Sequence, residues 1–173
     1  MQPSEQELIT QSLAGNADAY GQLINRYKNA LYRHSFALMR DEDAAEDITQ
    51  EAFITAYYKL GSFDTSKRFS TWLFKIATNK ALDTLRTRRH TTKLSEQALE
   101  RIVSPHTAPD QQAEYSELAV AIARLEPRYR AVIHLYYFEG MGYDEIATVM
   151  TKPVGSVKGW MNRAKRTLRK ELA

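Results

Sequence analysis

The 173-residue chain contains no cysteine. That excludes disulfide bridges, thiolate zinc sites and cysteine nucleophiles, and it is compatible with a reducing interior. Long apolar runs are missing as well, since none approaches the ~18 residues a membrane span needs. Met1 to Thr10 is polar and carries two acids, unlike a secretory signal. A cytoplasmic protein with no membrane insertion of its own is the expectation. The four histidines, His34, His90, His106 and His134, fall at no metal-ligating spacing, and there is no phosphate-binding glycine loop. Asp41, Asp43, Glu46 and Asp47 lack the glycine and terminal glutamate of an EF-hand loop. Neither enzymatic activity, nor a metal, nor a cofactor is expected. Strand patterns and internal repeats are also absent.

What is present is helical periodicity and unevenly placed charge. The composition, 43% hydrophobic and 26% charged, is ordinary for a folded protein. The net charge is only +3, yet Lys and Arg exceed acids by six in residues 61–93 and by six again in 151–173. Acids are in excess by four in residues 1–60, by four in 94–126 and by one in 127–150. Two separate basic blocks suggest two contacts with DNA, with the acidic surfaces left for a protein partner.

The second basic block carries the most specific local signal. Ile146, Ala147, Val149 and Met150 give one short apolar helix face, and Thr151-Lys152-Pro153 interrupts it because proline cannot continue a helix. Beyond it Val154, Val157, Met161, Ala164 and Leu168 recur at steps of 3, 4, 3 and 4, a single stripe that must pack inward. The opposite face carries Gly155, Ser156, Gly159, Asn162, Arg163 and Arg166, flanked by Lys158, Trp160 and Lys165. From Tyr143 to Leu172 this is the pattern of a helix-turn-helix, whose second helix offers its N-terminal residues to base edges. Ser156, Lys158, Gly159, Trp160 and Asn162 are the candidate readers. Arg163, Lys165, Arg166 and Arg169 are placed to hold phosphates.

The rest of the chain is predicted to be helical too. Ser4-x-x-Glu7 is a capping-box signature opening a first helix to about Ala14, ended by Gly15-Asn16. A second helix runs from Ala17 to about Met39, with a stripe that is imperfect toward its end. A third follows the capping acids Asp41 to Asp43 and runs from about Ala44 to Leu60. After a loop from Gly61 to Arg68, a fourth spans roughly Ser70 to Arg88. Thr91 to Pro109 is weakly periodic, holds two of the five prolines and is expected to be a linker, with at most a short helix near Ser95 to Ile102. Helices at about Asp110 to Leu125 and Pro127 to Phe138 lead into the helix-turn-helix. The expected fold is all-α: two small helical domains, 1–90 and 110–173, joined by a flexible linker over 91–109.

Two long motifs now carry a resemblance. DEDAAEDITQEAF, Asp41 to Phe53, followed by FSTWLFKIATNKALDTLR, Phe69 to Arg86, resembles region 2 of bacterial RNA polymerase sigma factors of the extracytoplasmic-function type. LEPRYRAVIHLYYFEGMGYDEIATVMTKPVGSVKGWMNRAKRTLRKEL, Leu125 to Leu172, is similar to their region 4. The resemblance covers nearly the whole chain in the family's order, the linker excepted. It implies a transcription initiation factor that binds core RNA polymerase and takes it to promoter DNA. It also implies an anti-sigma factor as a partner.

By that resemblance, the acidic third helix docks on the polymerase through Asp47, Gln50, Glu51 and Phe53. The following loop and helix capture the minus-10 element as single-stranded DNA during melting. Phe63, Phe69 and Trp72 offer flat apolar surfaces there, Lys67, Arg68, Lys75 and Lys80 offer charge, and Asn79 offers paired hydrogen bonds. Periodicity alone assigns Phe69 and Trp72 to the core, and pocket wall and core can be one role. Region 4 reads the minus-35 element as duplex, with Ser156, Lys158 and Arg163 matching the family pattern. The chain departs from that pattern at Lys158-Gly159-Trp160-Met161, where relatives commonly have Lys-Ser-Arg followed by Leu. Glycine inside a helix costs roughly 1 kcal/mol relative to alanine. A close backbone approach to DNA, with Trp160 on a sugar or thymine methyl, would compensate. A stand-alone helix-turn-helix regulator explains the C-terminal unit equally well, but not the first basic block or the aromatic loop.

Overall fold

The computed structural model describes residues 2–91 and 109–173, all helices and turns. The expected short helix near Ser95 to Ile102 and nearly all of the linker lie outside these residues. The first unit contains α1 (Glu5–Leu13), α2 (Ala17–Met39), α3 (Glu42–Lys59), a 3-10 turn at Leu60–Ser62 and α4 (Phe69–Thr91). The second contains α5 (Pro109–Arg124), α6 (Pro127–Tyr137), α7 (Tyr143–Met150) and α8 (Val154–Glu171).

Local chemistry sets the helix ends. Ser4 Oγ accepts from the Glu7 amide while Glu7 Oε2 accepts from the Ser4 amide, completing the capping box of α1. Asn16 Oδ1 accepts from the amides of Asp18 and Ala19, and Asp41 Oδ1 from Ala44 at 2.7 Å. Because Asp41 is the cap, α3 begins at Glu42, two residues before the sequence expectation. Arg40 ends α2 in the left-handed region, φ 56°, and its amide donates to the Phe36 carbonyl at 2.8 Å.

The first core gathers Leu8, Ile9, Leu23, Leu31, Leu38, Ala52, Leu73 and Phe74, all at most 2% exposed. Tyr20 fixes α2 to α3 by donating its hydroxyl to the Phe53 carbonyl at 2.6 Å. In the second unit Val132, Leu135, Ile146, Val149, Val157, Met161 and Ala164 are fully buried.

These cores meet. The end of α2 packs on α6, and α4 packs on α6 and α7, so the two units share one continuous apolar cluster. This contact explains the imperfect stripe of α2: His34, Ser35, Leu38 and Met39 are all buried because the helix end is covered from more than one side. At the centre of the contact stands Arg130 on α6. Its guanidinium donates from Nε to the Ala37 carbonyl at 2.9 Å and from Nη2 to Leu38 at 2.6 Å. Nη1 donates to the Leu125 carbonyl and to Ala123 at 3.4 Å. No acid pairs with it among the described residues. Instead the negative carbonyl ends of α2 and α5 hold the charge. Burial and the neighbouring Arg40 and Arg89 lower its pKa to about 10, so it stays cationic at neutral pH.

Candidate nucleic-acid interface

Two helices, α7 and α8, and the break between them form where the spacing predicts. Glu145 Oε2 accepts from the Gly142 amide at 3.0 Å, opening α7. Thr151, with φ 53°, closes it, and the Lys152 amide donates to the Ala147 carbonyl at 3.0 Å. Pro153 then precedes α8 in extended backbone, φ −60° and ψ 146°. Val157, Met161 and Ala164 face inward, with Val154 and Leu168 packed on the same core.

The outer face of α8 is accordingly free. Lys158, Gly159, Asn162, Arg163, Arg166 and Arg169 are exposed and Ser156 is half-buried, so most of the candidate readers and phosphate holders share one surface. Lys165 is half-buried, its ammonium 5.8 Å from the Tyr137 ring, and the Lys158 ammonium lies 6.0 Å from Tyr143. Trp160 sits differently. It is half-buried, its ring 5.7 Å from the Arg128 guanidinium, and it lines a cleft between α4 and the second unit with Asn79, Leu82, Met150 and Lys152. Its neighbour Met161 points straight into the core, which swings the indole sideways rather than outward.

The aromatic residues at the start of α4 form a packed cluster. Phe63 lies 5.6 Å from Phe69 and 5.0 Å from Trp72, and Tyr27 covers Phe69 at 5.6 Å. Phe63 and Phe69 are buried at 7% and 1% exposure, so neither presents a free surface to a base as the sequence suggested. Phe69 fills the space against Tyr27 of α2, Phe63 packs on Phe69 and Trp72, and Trp72 is half-buried beside them. Lys67, Arg68 and Asn79 are exposed, and Lys75 and Lys80 are half-buried. Lys80 reaches Glu51 of α3 at 3.7 Å, and Arg68 reaches Glu145 of α7 at 2.8 Å. Two of the expected DNA cations therefore have carboxylate partners.

On α3 the candidates Asp47, Gln50 and Glu51 are exposed, while Phe53 is 7% exposed and belongs to the core. The apolar part of that surface comes from residues outside the expected set: Ile54, Tyr57 and Tyr58, exposed at 57%, 46% and 81%. Their signal was present in the spacing, because Asp47, Gln50, Ile54 and Tyr58 recur at helical steps opposite the buried stripe of Ile48, Ala52 and Ala56. Arg128 and Arg130 lie in a stretch that periodicity treats as one amphipathic helix, which does not reveal their contacts with Trp160 and with the carbonyl ends of α2 and α5. Among the described residues no cluster of three or more metal-ligating side chains occurs, and no helix is long and apolar enough to cross a membrane.

The comparisons with known proteins agree with this geometry. Residues 23–91 match the family model Sigma-70 region 2, and residues 115–168 match Sigma-70, region 4. The ECF RNA polymerase sigma factor SigW of Bacillus subtilis is 34% identical, over 95% of this chain and 94% of that protein. The RNA polymerase sigma-H factor of Pseudomonas aeruginosa is 32% identical over 99% and 95%. Among solved structures, CnrH in complex with the cytosolic domain of CnrY superposes with a TM-score of 0.72 at 28% identity, covering 97% of this chain and 96% of CnrH. Two helical units in family order, with full-length relatives above 30% identity, place the chain among the extracytoplasmic-function sigma factors of the sigma-70 family.

Proposed function

We propose that the chain binds core RNA polymerase and directs it to promoters, reading the minus-35 element as duplex through α8 and capturing the minus-10 element through α4 as the strands part. The carrying observation is the division of α8 into a fully buried stripe and an opposite face of exposed Lys158, Asn162, Arg163 and Arg166. That face suits phosphates and major-groove edges. Ser156, Lys158, Gly159 and Asn162 are the base readers, and Arg163, Arg166 and Arg169 the phosphate contacts. A Cβ at Gly159 would meet nothing within 4 Å, so the fold itself does not require glycine there and a close approach of DNA supplies a reason for it. On α4, Trp72 and Asn79 are the base contacts and Lys67, Arg68 and Lys75 the charge.

Core polymerase docks on the exposed face of α3, where Asp47, Gln50 and Glu51 surround Ile54 and Tyr58. The mixed character of that patch, an apolar centre with an acidic rim, favours a protein partner with basic groups. A stand-alone regulator has no use for it. Residues 1–90 form the polymerase-docking and minus-10 unit, 91–109 the linker, and 110–173 the minus-35 unit. The protein works in the cytoplasm, where its polymerase is. An anti-sigma factor is the expected second partner, as the family resemblance implies, and the similar protein CnrH is itself held in a complex with the cytosolic domain of another protein, CnrY.

The test is co-purification of core polymerase with the tagged full chain, compared with its Ile54→Asp and Tyr58→Asp variants. Polymerase subunits retained by the parent and lost with both variants support the reading. Retention by neither parent nor variants would remove it and leave a stand-alone regulator.

A further inference from the structure

Two histidines from different units meet inside the contact between them. His34 Nδ1 on α2 lies 3.2 Å from His134 Nδ1 on α6, and His34 Nε2 lies 2.8 Å from the Thr78 hydroxyl on α4. His34 has no exposed surface and His134 has 7%. Phe74 and Phe138 flank them, with ring centroids 5.3 and 4.9 Å from His34 and His134 respectively. Among the described residues the charged groups that bear on the pair are Arg33 on α2 and Glu139 after α6, whose Oε1 stands 3.9 Å from His134 Nδ1. Two neutral imidazoles fit this geometry, because the axis between the Nδ1 atoms holds one hydrogen, donated by one ring and accepted by the other. One further proton puts a positive charge in a buried site beside Arg33, where burial also pushes the Glu139 carboxyl toward its neutral form. A second sets two N–H donors face to face at 3.2 Å.

We propose that the His34–His134 contact is a pH-sensitive latch, which holds the two units closed while both rings are neutral and releases them when the rings take up protons. What it closes over is visible in the same interface. Arg68 at the start of α4 is tied to Glu145 of α7, and the cleft of about 580 Å³ between α4 and the second unit has Asn79 on one wall and Trp160 on the other. The consequence for promoters rests on the assignment of α4 and α8 to DNA made above: the closed form screens part of α4 with the helix-turn-helix that must lie elsewhere on the promoter.

The direction of the pH effect follows from the burial. In the closed form both histidines bind protons more weakly than the ordinary value of 6.5, His34 through burial and the neighbouring His134, His134 through burial and Arg33. Once the units part, the exposed rings regain that ordinary affinity. The latch is therefore intact above pH 6.5 and weakens as pH falls below it, each histidine raising the open-to-closed ratio by up to about tenfold per pH unit, and the pair by up to about a hundredfold.

The absence of cysteine makes the test direct. Lys59→Cys on α3 and Thr167→Cys on α8, both at exposed positions, take a pair of distance probes in the otherwise full chain. The inter-unit distance is measured from pH 7.5 to 5.5, with helix content followed by circular dichroism. A distance that lengthens below pH 6.5 at constant helix content, in the parent but not in His34→Gln/His134→Gln, supports the latch. The single variant His134→Gln keeps the measurement decisive if the double variant fails to fold, because it should lower the pH slope by about half. Glu145→Gln loosens the Arg68 pair without touching the histidines and should keep the full slope. A distance unchanged in the parent, or an equal pH response in the histidine variants, overturns the proposal. Opening without any gain in promoter binding leaves the latch supported and counts against the assignment of α4 and α8.

Discussion

Glu145 Oε1 accepts from Arg68 Nη1 at 2.8 Å while its Oε2 accepts from the Gly142 amide, so one carboxylate both starts α7 and fastens it to α4. The two roles are separable. Arg68→Ala removes a pair whose arginine side chain is 71% exposed, and should cost well under about 1 kcal/mol. Glu145→Ala also removes the bond that opens α7 and should cost about 1–2 kcal/mol. Urea denaturation of the two variants checks the order.

Arg130 should behave in the opposite way, as the polar centre of the contact between the units. Removing it leaves three carbonyls, on Ala37, Leu38 and Leu125, without this donor, while Ala123 keeps its bond from Arg40 Nη1 at 2.5 Å. Arg130→Met should cost at least about 3 kcal/mol, and Arg130→Lys should recover little, because an ammonium cannot span both helix ends. Equal stability of parent and Arg130→Met in chemical denaturation would contradict this.

On α8 stability and binding should divide by face. Met161→Ala empties a fully buried position and should cost about 2–5 kcal/mol. Arg163→Ala, exposed, should leave stability within about 0.5 kcal/mol, weaken binding to promoter duplex and lower the salt slope by about one. Gly159→Ala should gain up to about 1 kcal/mol of stability while weakening the duplex complex. Binding titrations at several salt concentrations, beside thermal melts, measure both effects.

The surface of α3 divides likewise. Phe53→Ala should cost about 3–5 kcal/mol from the core, whereas Tyr58→Ala, at a position 81% exposed, should leave the melting temperature unchanged and weaken polymerase binding at least tenfold. A competition assay for core polymerase reports the second effect independently of stability.

Acid should unfold the protein earlier than its carboxylates alone require. The pKa of His134 falls from 6.5 to about 4 on burial, and that of His34 moves the same way. Unfolded chains take up these protons first, so the contribution is intact above pH 6.5 and is lost as pH falls toward 4. Denaturation midpoints at pH 7.5, 6 and 5, compared with those of His134→Gln, measure it.

Helix positions and inward faces were legible in the sequence because each depends on neighbours within a turn or two. The Ser4–Glu7 capping box, the Thr151 to Pro153 break and the stripe from Val154 to Leu168 all form as their spacing dictates. Contacts between distant segments were not legible. Phe53, Phe63 and Phe69 follow motifs associated with partners yet fill space under loops and helices far away in sequence. Trp160 lies on a flank whose exposure is decided by Arg128 and α4. Arg130 reads as one more surface cation until the carbonyl ends of α2 and α5 are brought around it. The docking of the two units, carried by such residues, has no periodic signature at all.

If this chain confers promoter specificity on core polymerase, run-off transcription on a promoter library will reveal it. With the protein and core enzyme together, transcripts should start downstream of two shared upstream boxes, and Arg163→Ala or Asn162→Ala should weaken selection at the distal one. No protein-dependent initiation, together with sequence-specific duplex binding by the chain alone, would contradict the account and make it a regulator that acts without docking on polymerase.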